Sequence, residues 1–111
     1  MTRMWMVPPK LLCRQHLLGE HKELHQLVGT IRAGRLSVIK GHARLGQVQC
    51  RSIIKRHEEL VAEMIKRGYN HASPLGDFEQ LDLGEVDIEK NLADLRHRCE
   101  RCRHLQQGDQ K

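Results

Sequence analysis

One stretch of the chain places two acidic side chains and a histidine where they could act together. Residues 13–29, CRQHLLGEHKELHQLVG, carry apolar residues with the period of an α-helix. On such a helix His16, Glu20 and Glu23 fall within roughly 60° of one another, beside the apolar stripe. Two carboxylates one turn apart repel each other, so they need nearby cations or a chemical role. Carboxylates of this kind can stabilise developing positive charge or transfer protons.

Metal ligation is a second chemistry that the sequence allows. His21 and His25 lie about 40° apart on a helix, so they could share an ion. Their order, HKELH, differs from the H-E-x-x-H of zinc proteases. Cys99 and Cys102 form a C-x-x-C without a second pair, and burial explains them because they continue an apolar stripe. We therefore predict no metal site, and a metal-dependent hydrolase using His21 and His25 remains an alternative.

Positive charge is concentrated in the N-terminal half. Residues 1–57 contain 11 Lys and Arg against only Glu20 and Glu23, a balance of +9, whereas residues 58–111 carry 8 against 12, a balance of −4. A basic half around two isolated glutamates indicates a polyanionic partner, with nucleic acid the leading candidate. A basic face that is only solvated, or a non-enzymatic DNA-binding module, is the alternative.

The remaining patterns predict an all-α fold. We expect one compact domain, residues 1–111, of three main helices with an extended N-terminal segment packed against helix 1. Gly19 costs helix 1 roughly 1 kcal/mol relative to alanine. We expect it to permit close approach of another backbone, such as the N-terminal segment, and a tolerated defect is the alternative. The expected elements are helix 1 over 9–31, a short helix over 38–45 capped by Ser37, helix 2 from its cap Ser52 to a stop at Gly68, a packed connector over 70–84, and helix 3 with its cap Asp87 and a stripe of Ile88, Leu92, Leu95, Cys99 and Cys102.

Two blocks of residues carry a family resemblance. The first comprises Thr2-Arg3, His16-Leu17, Glu20 and Glu23-Leu24, and the second comprises Lys55-Arg56, Leu60, Glu63 and Lys66-Arg67-Gly68-Tyr69-Asn70. In order and internal spacing, both blocks resemble the phage pyrimidine-dimer DNA glycosylase (endonuclease V) family. The two blocks cover about half the chain. The resemblance implies a small, mostly helical DNA-repair enzyme.

The resemblance also implies two catalytic residues. Removal of Met1 should leave a free α-amine on Thr2, whose reference pKa is roughly 7.7 to 8.0 against about 10.4 for lysine. In the family such an amine attacks the anomeric sugar carbon of a damaged nucleotide and forms an imine that eliminates the 3′ phosphate. Glu23 matches the family's catalytic glutamate, which stabilises positive charge on the sugar and transfers protons.

Five further residues are implied to contact DNA: Arg3, His16, Glu20, Lys22 and Gln26. Lys22 and Gln26 stand where the phage enzyme has arginines that contact phosphate. A structural ion pair between Glu20 and Arg3 is an alternative, and Lys55, Arg56, Arg96 and Arg98 could supply other contacts. The family's aromatic-rich tail has no counterpart here, which weakens the implied preference for dimers. Trp5 could stack on a base or anchor the N-terminal segment in the core.

The sequence thus predicts a DNA glycosylase with abasic-site lyase activity, acting on pyrimidine dimers or abasic sites. We expect no cofactor, damaged double-stranded DNA as the partner, no membrane association and a monomer. Four cysteines without a visible secretion signal indicate reduced thiols. We therefore expect a cytoplasmic, nucleoid-associated protein encoded by a bacterium or a phage.

Overall fold

The computed structural model describes residues 3–69 and 74–107, in which all regular structure is helical. The predicted all-α class is therefore confirmed. No helix in this part of the chain combines the length and apolar character needed to cross a membrane. The helices are α1 (Arg14–Arg32), α2 (Leu36–Arg44), α3 (Ile53–Lys66), α4 (Ile88–Arg98) and α5 (Glu100–Gln106), with short 3-10 turns at Pro9–Leu11 and Cys50–Ser52.

Helix α1 begins later than the sequence predicted. Pro9–Leu11 forms a separate 3-10 turn, and Leu12 and Cys13 have extended backbone before α1 starts at Arg14. The guanidinium of Arg67 donates hydrogen bonds to the carbonyl oxygens of Pro9 and Leu12, at 3.2 and 2.7 Å. These bonds satisfy carbonyl groups that a continuous helix would have used, so the predicted start at residue 9 is wrong.

The boundaries of α2 and α3 follow the pattern only in part. Ser37 lies inside α2 rather than at its cap, because the helix already begins at Leu36. Ser52 does precede α3, but its hydroxyl accepts a hydrogen bond from Gln49 Nε2 at 2.8 Å instead of capping a helical N–H. The predicted stop at Gly68 is confirmed, since its φ of 86° is a left-handed conformation that glycine adopts freely.

Predicted helix 3 is divided at Cys99. The cap at Asp87 is confirmed, with Oδ1 accepting the N–H of Lys90 at 3.0 Å. The backbone of Cys99 is extended, with φ −131° and ψ 111°, so a single helix through Cys102 is wrong. The Sγ atom of Cys99 accepts the N–H of Cys102 at 3.5 Å, so the thiol caps α5. The break directs α5 back toward the start of α1, where the N–H of Cys13 contacts the Sγ of Cys102.

The apolar side chains of the predicted connector pack on the core, as expected, over the residues that are described. Leu75 is buried, Phe78, Leu81 and Leu83 are partly buried, and the carbonyl oxygen of Leu83 accepts the N–H of Cys50 at 2.9 Å. Gly84 has φ 83°, and a Cβ there would lie 2.2 Å from the carbonyl oxygen of Val48. Only glycine fits this close approach. Residues 70–73 of the predicted connector lie outside the described residues.

The core is built around α1. Helices α2 and α3 both pack on α1, while α5 contacts α4 and the first 3-10 turn. The N-terminal segment, residues 3–8, contributes three buried side chains, Met4, Trp5 and Val7. The backbone N–H of Met4 also donates to the carbonyl oxygen of Gln47 at 2.7 Å. The segment is therefore part of the core, and Trp5 is an anchoring residue, not an exposed stacking platform.

A buried ion pair joins α1 to α3. Arg56 donates to both carboxylate oxygens of Glu20, at 2.6 and 2.8 Å, and the two side chains are only 1% and 0% exposed. Arg56 also donates to the carbonyl oxygen of Val7 at 2.7 Å. One guanidinium thus fixes two helices and the N-terminal segment. The predicted alternative partner of Glu20, Arg3, is wrong, and Arg56 is too deeply buried for the DNA contact considered for it.

Replacing one partner of this pair should be strongly destabilising. We expect Arg56→Met to lower the free energy of unfolding by about 3–5 kcal/mol, because Glu20 would remain buried without a counter-charge. The double variant Glu20→Leu, Arg56→Met should recover part of that loss, since no isolated charge remains. Urea unfolding followed by circular dichroism measures both. The exposed neighbour Lys55→Met is the matched control, and equal stability of Arg56→Met and this control would contradict the assignment.

Candidate active site

A cleft of about 340 Å³ lies between the N-terminal segment, α1 and the end of α4. Four of the seven predicted site residues line it: Arg3, His16, Glu20 and Glu23. A larger cavity of about 700 Å³ is lined in part by Cys13, but its described lining residues include no carboxylate. The smaller cleft is therefore the better candidate for acid–base chemistry. Its lining residues are Arg3, Trp5, Gln15, His16, Gly19, Glu20, Glu23 and Arg98.

Glu23 is the half-buried carboxylate of this cleft. Its Oε1 atom accepts a hydrogen bond from the backbone N–H of Arg3 at 2.9 Å. Burial raises the pKa of Glu23 above its usual range, and the nearby charge of Glu20 adds to the rise, although the Arg3 hydrogen bond opposes it. Glu23 is thus held against the N-terminal backbone in an environment where its charge is poorly solvated. Such an environment is typical of a catalytic carboxylate.

Arg3 is oriented by a helix that sequence reasoning did not connect to it. Its guanidinium donates to Asn91 Oδ1 at 2.6 Å and to Asp94 Oδ2 at 2.8 Å, both on α4. It also lies over the ring of Trp5, 4.0 Å from the ring centroid. The hydrogen bond from Arg3 lowers the pKa of Asp94 below its usual range. Arg3 therefore presents a fixed positive group at the edge of the cleft.

Asn91 fastens the N-terminal segment to α4. Its side-chain amide donates to the carbonyl oxygens of Met4 and Trp5, at 3.3 and 2.8 Å, while its own oxygen accepts from Arg3. All of these bonds form in a residue that is 4% exposed. A signal for Asn91 was present in the sequence, because this polar residue interrupts the helical stripe of Ile88, Leu92 and Leu95.

Glu20 has a different environment from Glu23, although the two lie one turn apart. The Glu20 side chain has no exposed surface and is held by Arg56 below the cleft. A direct contact with DNA, implied for Glu20 by the resemblance, does not fit this burial. Glu20 instead forms the floor of the cleft, and its charge is compensated by a salt bridge inside the protein. A polar interruption of the Ile53–Leu60 stripe at Arg56 was the signal for its partner.

His16 and Arg98 line the cleft around Trp5. The ring of His16 contacts Trp5 edge-on, with centroids 5.6 Å apart, and the guanidinium of Arg98 lies 5.7 Å from the Trp5 ring centroid. Burial and the positive charge of Arg98 both lower the pKa of His16 below its usual range. His16 is thus neutral near pH 7, and the cations of this cleft are Arg3 and Arg98 among the residues described.

The remaining predicted residues lie outside the cleft lining. Lys22 and Gln26 are exposed on α1 beside Glu23, where both could meet a phosphate backbone. Lys55 and Arg96 are exposed as well. Thr2, the predicted nucleophile, lies outside the described residues.

Gly19 opens the cleft. A Cβ built on this glycine would meet no atom within 4 Å, so the predicted close approach of another backbone is wrong. Gly19 lies on α1 between His16 and Glu23 and contributes to the cleft lining. The absence of a side chain leaves room between these two residues. Glycine at position 19 thus destabilises the helix relative to alanine but leaves the cleft open.

Among the residues that the structure describes, two groups of side chains could hold a metal ion. Cys13, His16, Cys99 and Cys102 form one, and His21, His25 and His57 form the other; in each, the possible ligand atoms lie within 4.8 Å of one another. The sequence had suggested the His21–His25 pair, to which α3 adds His57. Neither group includes Glu23.

The geometry gives a carboxylate and two guanidinium groups around a cleft beside the start of the chain. Guanidinium groups bind phosphate, and a poorly solvated carboxylate can stabilise a cationic sugar or transfer protons. Comparison with curated proteins and with solved structures found no match. The family model described as pyrimidine dimer DNA glycosylase matches residues 2–77, which include Arg3, His16, Glu20, Glu23 and Arg56. The match spans more than half of the chain, which therefore belongs to the pyrimidine dimer DNA glycosylase family, a family of DNA-repair enzymes.

Proposed function

We propose that this protein excises a damaged base from double-stranded DNA and cleaves the resulting abasic site through the α-amine of Thr2. The amine attacks the anomeric carbon, and the base leaves with the electron pair of the glycosidic bond. Opening of the sugar ring then gives an imine, and β-elimination expels the 3′ phosphate. The proposed chemistry needs no cofactor, and the proposed enzyme acts as a monomer.

The observation that carries the proposal is the hydrogen bond between the Arg3 N–H and Glu23, 2.9 Å long. Arg3 is the residue joined directly to Thr2, so its attachment to Glu23 limits how far the amine can lie from the carboxylate. The segment is further held by Asn91 and by the burial of Trp5. A nucleophile at the end of a chain loses its advantage when it moves freely, and this anchoring supplies the required restriction.

Glu23 has two roles in this proposal. As an anion it stabilises the positive charge that develops on the sugar, and as a base it accepts protons during ring opening and elimination. Its raised pKa makes it a better proton acceptor than an ordinary surface glutamate. Arg3 and Arg98 would bind the phosphates that flank the target nucleotide, while Lys22 and Gln26 would contact the backbone further along.

A metal-dependent hydrolase is the second candidate, because His57 of α3 joins His21 and His25. Their rings lie 4.7 to 5.3 Å apart between centroids. Three histidines and a water are the ligand set of some catalytic zinc sites. Imine trapping distinguishes the candidates, because a hydrolase of this type forms no covalent bond to DNA.

The nucleophile is tested by borohydride reduction in the presence of abasic duplex DNA. We expect a covalent complex whose cross-linked peptide, identified by mass spectrometry, begins at Thr2. A protein that carries an N-terminal extension should form about a hundredfold less complex, because its α-amine is displaced from Glu23. A cross-link at Lys10 or Lys22, or full trapping with the extension intact, would contradict the assignment.

The role of Glu23 is tested by Glu23→Gln, with the exposed Glu79→Gln as the matched control. We expect base excision to fall at least about a hundredfold in the first variant and to stay unchanged in the second. Folding should not suffer, because glutamine can still accept the Arg3 hydrogen bond and no longer carries a poorly solvated charge. Near-normal excision with Glu23→Gln would refute a catalytic role.

The same carboxylate gives the reaction a pH dependence. Because the active form is the anion, activity should be lost as the pH falls through the pKa of Glu23. That pKa is raised by burial, so the loss should begin at a higher pH than for an ordinary glutamate. The Thr2 amine must also be unprotonated, so a limb near its reference pKa of about 7.7–8.0 should remain in Glu23→Gln. The separate limb at lower pH should disappear from the residual activity of this variant, and persistence of that lower limb would assign it to another group.

The open space at Gly19 gives a further test. Gly19→Ala should raise the free energy of unfolding by up to about 1 kcal/mol, because its Cβ meets no atom and alanine favours the helix. The same methyl group projects into the cleft, so we expect excision to slow about tenfold or more. Gly29→Ala is the matched control, since Gly29 lies on α1 with equally open space but outside the cleft lining. Equal activities of the two variants would contradict the proposed substrate position.

A further inference from the structure

Four potential metal ligands from the two ends of the described chain converge beside the cleft. Cys13 and His16 form a C-x-x-H at the start of α1, and Cys99 and Cys102 form a C-x-x-C at the start of α5. In the sequence the second motif has no apparent partner, because 82 residues separate His16 from Cys99. The fold supplies the missing pair, and the Sγ and Nδ1 atoms all lie within 4.8 Å of one another.

Three of the six distances between the ligand atoms fit a tetrahedron, and the other three are at most 4.8 Å. Zinc bonds of about 2.3 Å to sulfur and 2.0–2.1 Å to nitrogen place two sulfur ligands about 3.8 Å apart and a sulfur and a nitrogen about 3.5 Å apart. The Sγ atoms of Cys13 and Cys99 are 3.9 Å apart. His16 Nδ1 lies 3.2 Å from the Sγ of Cys13 and 3.5 Å from that of Cys102. A small inward or outward shift of each side chain would complete the coordination.

The backbone around the cluster suits thiolate ligands. The N–H of Cys13 donates to the Sγ of Cys102 at 3.3 Å, and the N–H of Cys102 donates to the Sγ of Cys99 at 3.5 Å. Hydrogen bonds of this kind orient metal-bound sulfur and offset its negative charge. The extended backbone at Cys99, which divides α4 from α5, gives the cysteine pair this arrangement.

We propose that Cys13, His16, Cys99 and Cys102 bind one Zn²⁺ ion as a structural site. Three thiols would lose their protons to solvent, and the neutral imidazole would bind through Nδ1, leaving the ring proton on Nε2. All four positions are filled by protein, so the ion stabilises the fold and does not activate water. It fastens α5 to the start of α1 and fixes the orientation of His16 in the cleft wall.

Zinc accounts for the cluster better than a disulfide does. A bond between Cys13 and Cys99 would need its sulfur atoms to move from 3.9 Å to about 2.05 Å. A disulfide would also leave the contacts of His16 with Cys13 and Cys102 unexplained. Packing in the core accounts for the burial of Cys102. It does not account for the contact of His16 Nδ1 with the Sγ atoms of both Cys13 and Cys102.

The test is the metal content of the full chain purified with a reductant and without a chelator. We expect one equivalent of zinc by mass spectrometry of the metal, and less than about a tenth of that in Cys99→Ser and Cys102→Ser. Cys50→Ser is the matched control, since Cys50 is a buried cysteine outside the cluster, and it should retain the zinc. His57→Phe should also retain it, because the histidine group is separate.

A second measurement serves if the cysteine variants fail to fold. Cobalt(II) chloride added to chelator-treated wild-type protein should give the charge-transfer absorption of cobalt–thiolate bonds, and zinc sulfate should abolish it. The result is independent of the proposed imine chemistry, since neither readout uses DNA. Three results would overturn the proposal. They are the absence of metal with four reactive thiols, a Cys13–Cys99 disulfide in the reduced preparation, and zinc that is lost with His57→Phe but kept with Cys99→Ser.

Discussion

The buried ion pair between Glu20 and Arg56 is the constraint on which the rest of the structure depends. Removing two charges from water carries a large unfavourable free energy, and only close bidentate geometry offsets it when almost no surface is exposed. That geometry fixes the rotation of α1 relative to α3, and the third bond of Arg56, to Val7, fixes the path of the N-terminal segment. With α1 in this rotation, Glu23 one turn further on faces the cleft and meets the N–H of Arg3.

The pair also explains why neighbouring glutamates differ in chemistry. The charge of Glu20 is compensated inside the protein by the guanidinium of Arg56, so Glu20 is suited to a structural role. Glu23 accepts one backbone N–H and is partly buried, so its negative charge is less well compensated than that of Glu20. One turn of helix thus separates a structural carboxylate from the carboxylate for which we propose a catalytic role. Their helical spacing does not distinguish the two glutamates. Their environments differ because Glu20 has its partner in α3 and Glu23 has its partner in the N-terminal segment.

Local patterns were sufficient for some parts of this protein and insufficient for others. The helical period, the Asp87 cap and the Gly68 stop depend on neighbouring residues, so the sequence predicted them correctly. The breaks at Cys13 and Cys99 depend on contacts with residues distant in sequence, such as those of Arg67 with Pro9 and Leu12, and were missed. The same holds for Asn91 and for the cysteine–histidine cluster. For Asn91 the visible signal was a polar residue within an apolar stripe, and for the cluster it was an isolated C-x-x-C. In neither case did the sequence show the partner residues.

The attachment of the N-terminal segment to α4 has a consequence for biosynthesis. Arg3 emerges from the ribosome early, whereas its partner Asn91 is 88 residues away in the chain. At translation rates of about 5–20 residues per second, Asn91 is synthesised roughly 4–18 s later. During that interval the first residues have no α4 to bind. The removal of Met1 that the proposed mechanism requires would therefore have several seconds in which to occur before Asn91 holds the N-terminal segment.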